Sequence, residues 1–357
     1  MPYKRKRPFV KKRVTRKKPM TVKTVRQIAK KVLTSAPERK FMDSNQFTQL
    51  TPKPTQMDQR NGVWVPTSRT SVIAFSNTVN SVGNGVQQTY GTNGVDGTDQ
   101  EMYEMEMTRP FMPNGSSDKT PYHIEGKEIT PVSAINKWRL SRDIGQLLKG
   151  FYLNDGGSGG NEQLLIPPSD LAANLPVICR MIRVCPKLNQ TKNLCFPAVD
   201  LFVDTYNNPT GVESADFDEN EMLNFKVNRR KYDVVEDKFF RIQNGLTVQW
   251  QRSVWSDDTT SNSRAMLQPI ITNTNANCEK LFTTSHQLTA RKGGKLHYNQ
   301  PTQATSLAAD SGAKREYTMF HFCYAGAETF LNSENTNVVC PLDLRLSTKN
   351  TVQFTDI

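Results

Sequence analysis

The side chains in this chain best suited to chemistry are cations. Lys4, Arg5, Lys6, Arg7, Lys11, Lys12, Arg13, Arg16, Lys17, Lys18, Lys23, Arg26, Lys30 and Lys31 all precede the first acid, Glu38. Lysine and arginine at this density neutralise phosphates and release their counterions, which gives a sequence-independent, salt-sensitive affinity for nucleic acid. An arm without fixed structure can follow an irregular strand, and Tyr3 and Phe9 offer rings for base stacking. The run "KRKRPFVKKR" also reads as a nuclear-import signal, a role that can coexist with phosphate binding.

Other reactive groups are scattered. His123, His286, His297 and His321 form no H-x-H or H-E-x-x-H pattern, and the six cysteines include no C-x-x-C pair, so no metal site or cofactor follows from their spacing. Reduced, mostly buried thiols are expected. "GGSGG" at residues 156–160 matches the G-x-S-x-G form, but Pro167 and Pro168 interrupt the helix that a nucleophile elbow requires, so a flexible loop is expected. The acidic runs at 96–106 and 216–221 lack the calcium-loop register and read as solvated loops. "GTNGVDG" is not followed by G-K-[ST], so no nucleotide-triphosphate loop is present and no catalytic residue is assigned.

The charge is segregated. Residues 1–40 hold sixteen Lys/Arg against one acid, whereas residues 41–357 hold thirty against thirty-three, so a near-neutral body carries a cationic tail. No run approaches the ~18 apolar residues of a membrane span and the start lacks an apolar signal core, which predicts a soluble cytosolic product without membrane insertion. Within the tail, Pro8 and Pro19 break any helix, while Val22, Val25, Ala29 and Val32 share one helical face. A short basic helix is therefore predicted over residues 21–33, stopped by "SAP" at 35–37.

From residue 38 the texture becomes short apolar runs between Asn, Gly, Pro, Ser and Thr clusters. Strands are predicted at "RTSVIAFS", "HIEGKEITPV", "INKWRLS", "LPVICRMIRVCPK", "FPAVDLFVDTY", "KYDVVEDKFFRIQ", "GLTVQWQRSVW", "KLFTTSHQL", "GGKLHYNQ", "REYTMFHFCYAG" and "VVCPLDLRLST". Their spacing leaves no room for crossover helices, so an all-β antiparallel sandwich or barrel is expected over residues 38–357. Residues 77–100 and 154–163 read as long surface loops.

Three stretches then resemble a known family. "APERKFMD" is similar to the lead-in to a first strand, "AVDLFVDTYNNPTG" with "NRRKYDVVEDKFFRIQNG" to a central strand pair, and "GGKLHYNQ" with "YTMFHFCYAG" to the last third of capsid proteins of circovirus-like, circular single-stranded DNA viruses. The resemblance implies a single eight-stranded jelly roll that assembles with itself into an icosahedral shell. It also implies that residues 1–37 face a packaged single-stranded DNA genome, that import receptors are partners, and that virion and host nucleus are the locations. Phosphate neutralisation is blind to the sugar, so the cations alone leave DNA and RNA open. A second reading from the same residues is a nucleic-acid-binding protein with a basic tail and a β-sandwich body that does not assemble.

Overall fold

The computed structural model describes residues 21–27, 39–60, 63–77, 81–82, 86–87, 89–92, 99–105, 107–108, 127–142, 151–152, 175–187, 195–243, 246–256, 263–274, 276–298, 312–326 and 340–356. Two units separate, Met1–Glu38 and Arg39–Ile357. In the first, residues 22–27 are helical, and residues 28–33 of the predicted helix lie outside the described residues.

The second unit is all-β and antiparallel in its main pairings, as expected. Its long strands are β1 (Arg39–Leu50), β2 (Thr70–Ser76), β3 (Glu128–Arg142), β4 (Val177–Pro186), β5 (Tyr232–Ile242), β6 (Glu279–His286), β7 (Tyr317–Tyr324) and β8 (Leu344–Asp356). One sheet runs β1-β8-β3-β6 and the other β2-β7-β4-β5. The pairs β1 with β8, β2 with β7, β3 with β6 and β4 with β5 are all antiparallel and nested in sequence. The strands Leu246–Ser256 and Ser263–Thr274 form a separate antiparallel hairpin between β5 and β6.

Period-two patterning explains β3. Ala134, Asn136, Trp138 and Leu140 point into the core, while Ile135, Lys137 and Arg139 point away. "HIEGKEITPV" and "INKWRLS", expected as two strands, merge into this one across a register shift between Pro131 and Ser133, a bulge where a residue without an N–H is tolerated. β2 and β7 are buried at every position, which requires cover on both sheet faces. The inter-sheet core around Trp138, Phe75 and Phe320 provides one cover, and a second cluster of Phe202, Phe217, Met222 and Val227 provides the other.

That second cover comes from the segment between β4 and β5, and here one expectation fails. "FPAVDLFVDTY" is not a strand but a short helix, Pro197–Asp200, followed by the two-residue strand Phe202–Val203. Pro197 suits the first helical turn, and the carboxylate of buried Asp200 accepts from Phe196 N (3.1 Å), Lys231 Nζ (2.7 Å) and Tyr232 OH (2.5 Å). Gly211 lies so close to this helix that a Cβ would sit 2.1 Å from Ala198 O, so only glycine fits. Among the long strands Ser263–Thr274 was not predicted and β1 was signalled only by the resemblance at "APERKFMD"; the segment 77–100, expected as a surface loop, carries short strands at Ser81–Val82, Val86–Gln87, Thr89–Thr92 and Asp99–Glu101, with Tyr90 buried.

Trp138 is the centre of the inter-sheet core. Its ring meets Phe75 and Phe320 edge-on at 5.0 Å and stacks on Phe282 at 6.2 Å, and its Nε1 donates to Thr284 Oγ1 at 2.8 Å. Trp138→Ala is expected to cost about 3–5 kcal/mol through the cavity it leaves, read as a lower guanidinium midpoint at unchanged slope. Trp138→Phe should recover most of that loss.

Candidate nucleic-acid interface

Of the fourteen cations expected to hold phosphates, Lys23 and Arg26 are described. Lys4, Arg5, Lys6, Arg7, Lys11, Lys12, Arg13, Arg16, Lys17, Lys18, Lys30 and Lys31 lie outside the described residues. Thr21 starts the helix: its Oγ1 accepts from Thr24 N at 3.3 Å, and Val25 N donates to Thr21 O at 3.0 Å. Lys23 and Arg26 are exposed and three residues apart, so the helix sets both cations on one side. Val22 and Val25, also three apart, are exposed as a small apolar pair.

A second cluster of cations lies on the body. Lys226, Arg229 and Arg230, all exposed, line a cavity of about 700 Å³ together with Arg180, Val203, Asn207, Leu223, Phe225, Val234 and Asp237. Arg180 is buried and fully engaged: it donates to both oxygens of Asp237 (2.9 and 2.8 Å) and to the carbonyls of Met222 (2.7 Å) and Phe225 (2.8 Å). Asp237, the one acid in the lining among the described residues, is thus neutralised by Arg180. Among the described residues no carboxylate pairs with Lys226, Arg229 or Arg230. In the sequence only the run "KVNRRKY" hints at this cluster, and its Lys231 is taken by Asp200.

Three of the four histidines, His286, His297 and His321, are described. His321 is buried, and burial together with the Arg180 charge lowers its pKa to about 3, so it stays neutral, with Nε2 hydrogen-bonded to Tyr90 OH at 2.5 Å. His297 lies 3.1 Å from Glu128, and His123 falls outside the described residues. His286 has the outline of a hydrolytic triad, with Thr284 Oγ1 2.9 Å from Nε2 and Glu316 Oε1 3.1 Å from Nδ1. The threonine, however, is buried and accepts from Trp138, so no substrate reaches it, and Nδ1 approaches Glu316 without hydrogen-bond alignment.

The acidic run at 216–221 is a helix start: Asp218 and Glu221 form a capping box, and Asp218 accepts from Arg69 N at 2.8 Å. Among the described residues no group of three or more His, Cys, Asp or Glu could hold a metal ion. None of the six cysteines is joined in a disulfide, and four of them are buried. "GGSGG" and the run at 154–163 lie outside the described residues. No helix among the described residues is long and apolar enough to cross a membrane. No protein-family model and no curated protein matches the chain.

Proposed function

We propose that this protein is a viral capsid subunit: a single eight-stranded jelly roll that assembles with copies of itself into an icosahedral shell and packages a single-stranded genome through its basic arm. The observation that carries the reading is the joining of two features in one chain. One is the nested pairing of β1 with β8, β2 with β7, β3 with β6 and β4 with β5, the strand order of jelly rolls, which serve as shell domains in capsids. The other is the segregation of charge into the first forty residues. Sixty arms of net charge +15 would bring on the order of 900 positive charges inside a minimal shell, while bodies near −3 can pack once the arms are neutralised. No catalytic residue and no cofactor belongs to this reading.

The test is protection. Full-length protein purified from an expression host is expected to carry nucleic acid that survives added nuclease until the particles are opened by salt or denaturant. Nucleic acid that binds but is digested freely would favour the reading in which the tailed body does not assemble. Virion and host nucleus are the corresponding locations, with DNA as the packaged nucleic acid and import receptors as transient partners of the arm.

A further inference from the structure

We infer that the cavity between residues 203–207 and 223–230 is a second nucleic-acid site, which takes one nucleotide of a bound strand with its phosphate on Lys226, Arg229 and Arg230 and its base on the apolar floor. The inference rests on the packaging reading for its ligand, but not on shell closure. Three exposed cations line a concave surface whose one carboxylate among the described residues, Asp237, is already paired with Arg180. Like charges gathered without an anion repel one another, and a phosphate relieves that repulsion.

The cationic wall is held in place before any ligand arrives. Buried Asn228 accepts from Arg230 N at 3.2 Å and donates to Asp200 O at 3.1 Å, and its carbonyl receives Lys231 N (3.2 Å) and Tyr232 N (3.0 Å). Lys187 Nζ donates to Arg229 O at 2.6 Å. The backbone that presents both arginines is thus fastened on both sides, so little ordering is required on binding.

The opposite wall is equally fixed. Asp204 Oδ1 accepts from Tyr206 N (2.8 Å) and Asn208 N (2.7 Å), and Asn207 takes a left-handed φ of 64°, which asparagine tolerates better than most residues. This turn puts the Asn207 side of the cavity in place and leaves the neighbouring Tyr206 ring 84% exposed. Val203, Leu223, Phe225 and Val234 make up the apolar part of the lining, taken as the floor for a base. An apolar floor with an aromatic member suits a planar base, whose stacking tolerates any sequence; a sulfated sugar ring would gain less from it. A volume of about 700 Å³ is ample for one nucleotide.

Photocrosslinking of the full-length protein to bromouracil-substituted oligonucleotides, DNA and RNA in parallel, with sites mapped by mass spectrometry, tests the inference. Crosslinks are expected both in the arm and at residues 203–230. In the double variant Arg229→Glu/Arg230→Glu the cavity crosslink should fall by about tenfold while arm crosslinks persist, and Arg229→Lys/Arg230→Lys should retain it. An unchanged denaturation midpoint of the body shows that the charge-reversed variant is folded. Crosslinks in the arm alone in the unaltered protein would overturn the cavity site and leave the packaging reading standing; none at either place would overturn both. Displacement of the cavity crosslink by a heparin-derived hexasaccharide at lower concentration than by unlabelled oligonucleotide would assign the site to a sulfated glycan and overturn the proposal.

Discussion

Removing residues 1–33 is expected to abolish most of the salt-sensitive affinity for single-stranded nucleic acid while leaving the β body folded. The magnitude follows from counterion release. On a single strand the slope of log Kobs against log salt is about −0.7 for each phosphate neutralised, so fourteen arm cations bound together set a limit near −10. The three cations of the body cavity set a limit of about −2 for the truncated protein. Affinity at 0.15 M salt should therefore drop by several powers of ten. The segment is set apart from the near-neutral body by its charge, so the denaturation midpoint of the body should be unchanged when it is removed. A truncated protein with the full-length slope would place the binding surface elsewhere.

Neutralising Glu316 is expected to be as damaging to the body as Trp138→Ala. This side chain, 3% exposed, receives Arg183 Nε at 2.8 Å and lies 3.1 Å from His286, while Arg183 also reaches Glu236 (3.1 Å) and the carbonyl of Ser285 (2.6 Å). Because Arg183 is on β4, Glu236 on β5, and Ser285 and His286 on β6, the cluster fastens one sheet to the other. Glu316→Gln leaves a buried guanidinium short of a counter-charge, a loss of about 3–5 kcal/mol at pH 7. Burial alone would raise the Glu316 pKa, but His286 and Arg183 outweigh it and hold it below the usual carboxylate range.

The pH dependence follows from that direction. A depressed pKa means that the stabilisation is fully present above the unfolded value, near 4.5, and is lost as pH falls through the folded one. Glu236 is shifted the same way: burial raises its pKa, while Lys238 and Arg183 lower it by more. The unaltered protein should therefore lose stability steeply below pH 4.5, and Glu316→Gln should start lower at pH 7 and fall less steeply. Urea denaturation at pH 7, 5 and 4 reads both effects, and equal stabilities at pH 7 would show that the cluster contributes little.

Much of this was legible in the chain. β2, β5 and β7 stand where "RTSVIAFS", "KYDVVEDKFFRIQ" and "REYTMFHFCYAG" put them, because runs of branched and aromatic residues between turn formers specify strands locally. β1 was legible only through the resemblance at "APERKFMD": "RKFMDSNQFTQL" itself mixes charges and amides without clean alternation, and it becomes a strand through β8, with register shifts at Asp43/Gln46 and Phe47/Leu50. Pro269 hid Ser263–Thr274 in the same way, since proline argues against a strand interior.

The sites divide similarly. The arm is a property of composition and could be read without a fold. The cavity depends on Arg180 from β4 meeting Lys226, Arg229 and Arg230 across residues 203–207, a meeting set by tertiary packing alone.

Assembly is the central claim, and sedimentation of the purified full-length protein combined with electron microscopy tests it most directly. The account predicts closed, uniform particles that contain nucleic acid, sedimenting far ahead of a 40.4 kDa chain. A species that stays monomeric across salt and pH, with nucleic acid supplied, would contradict it.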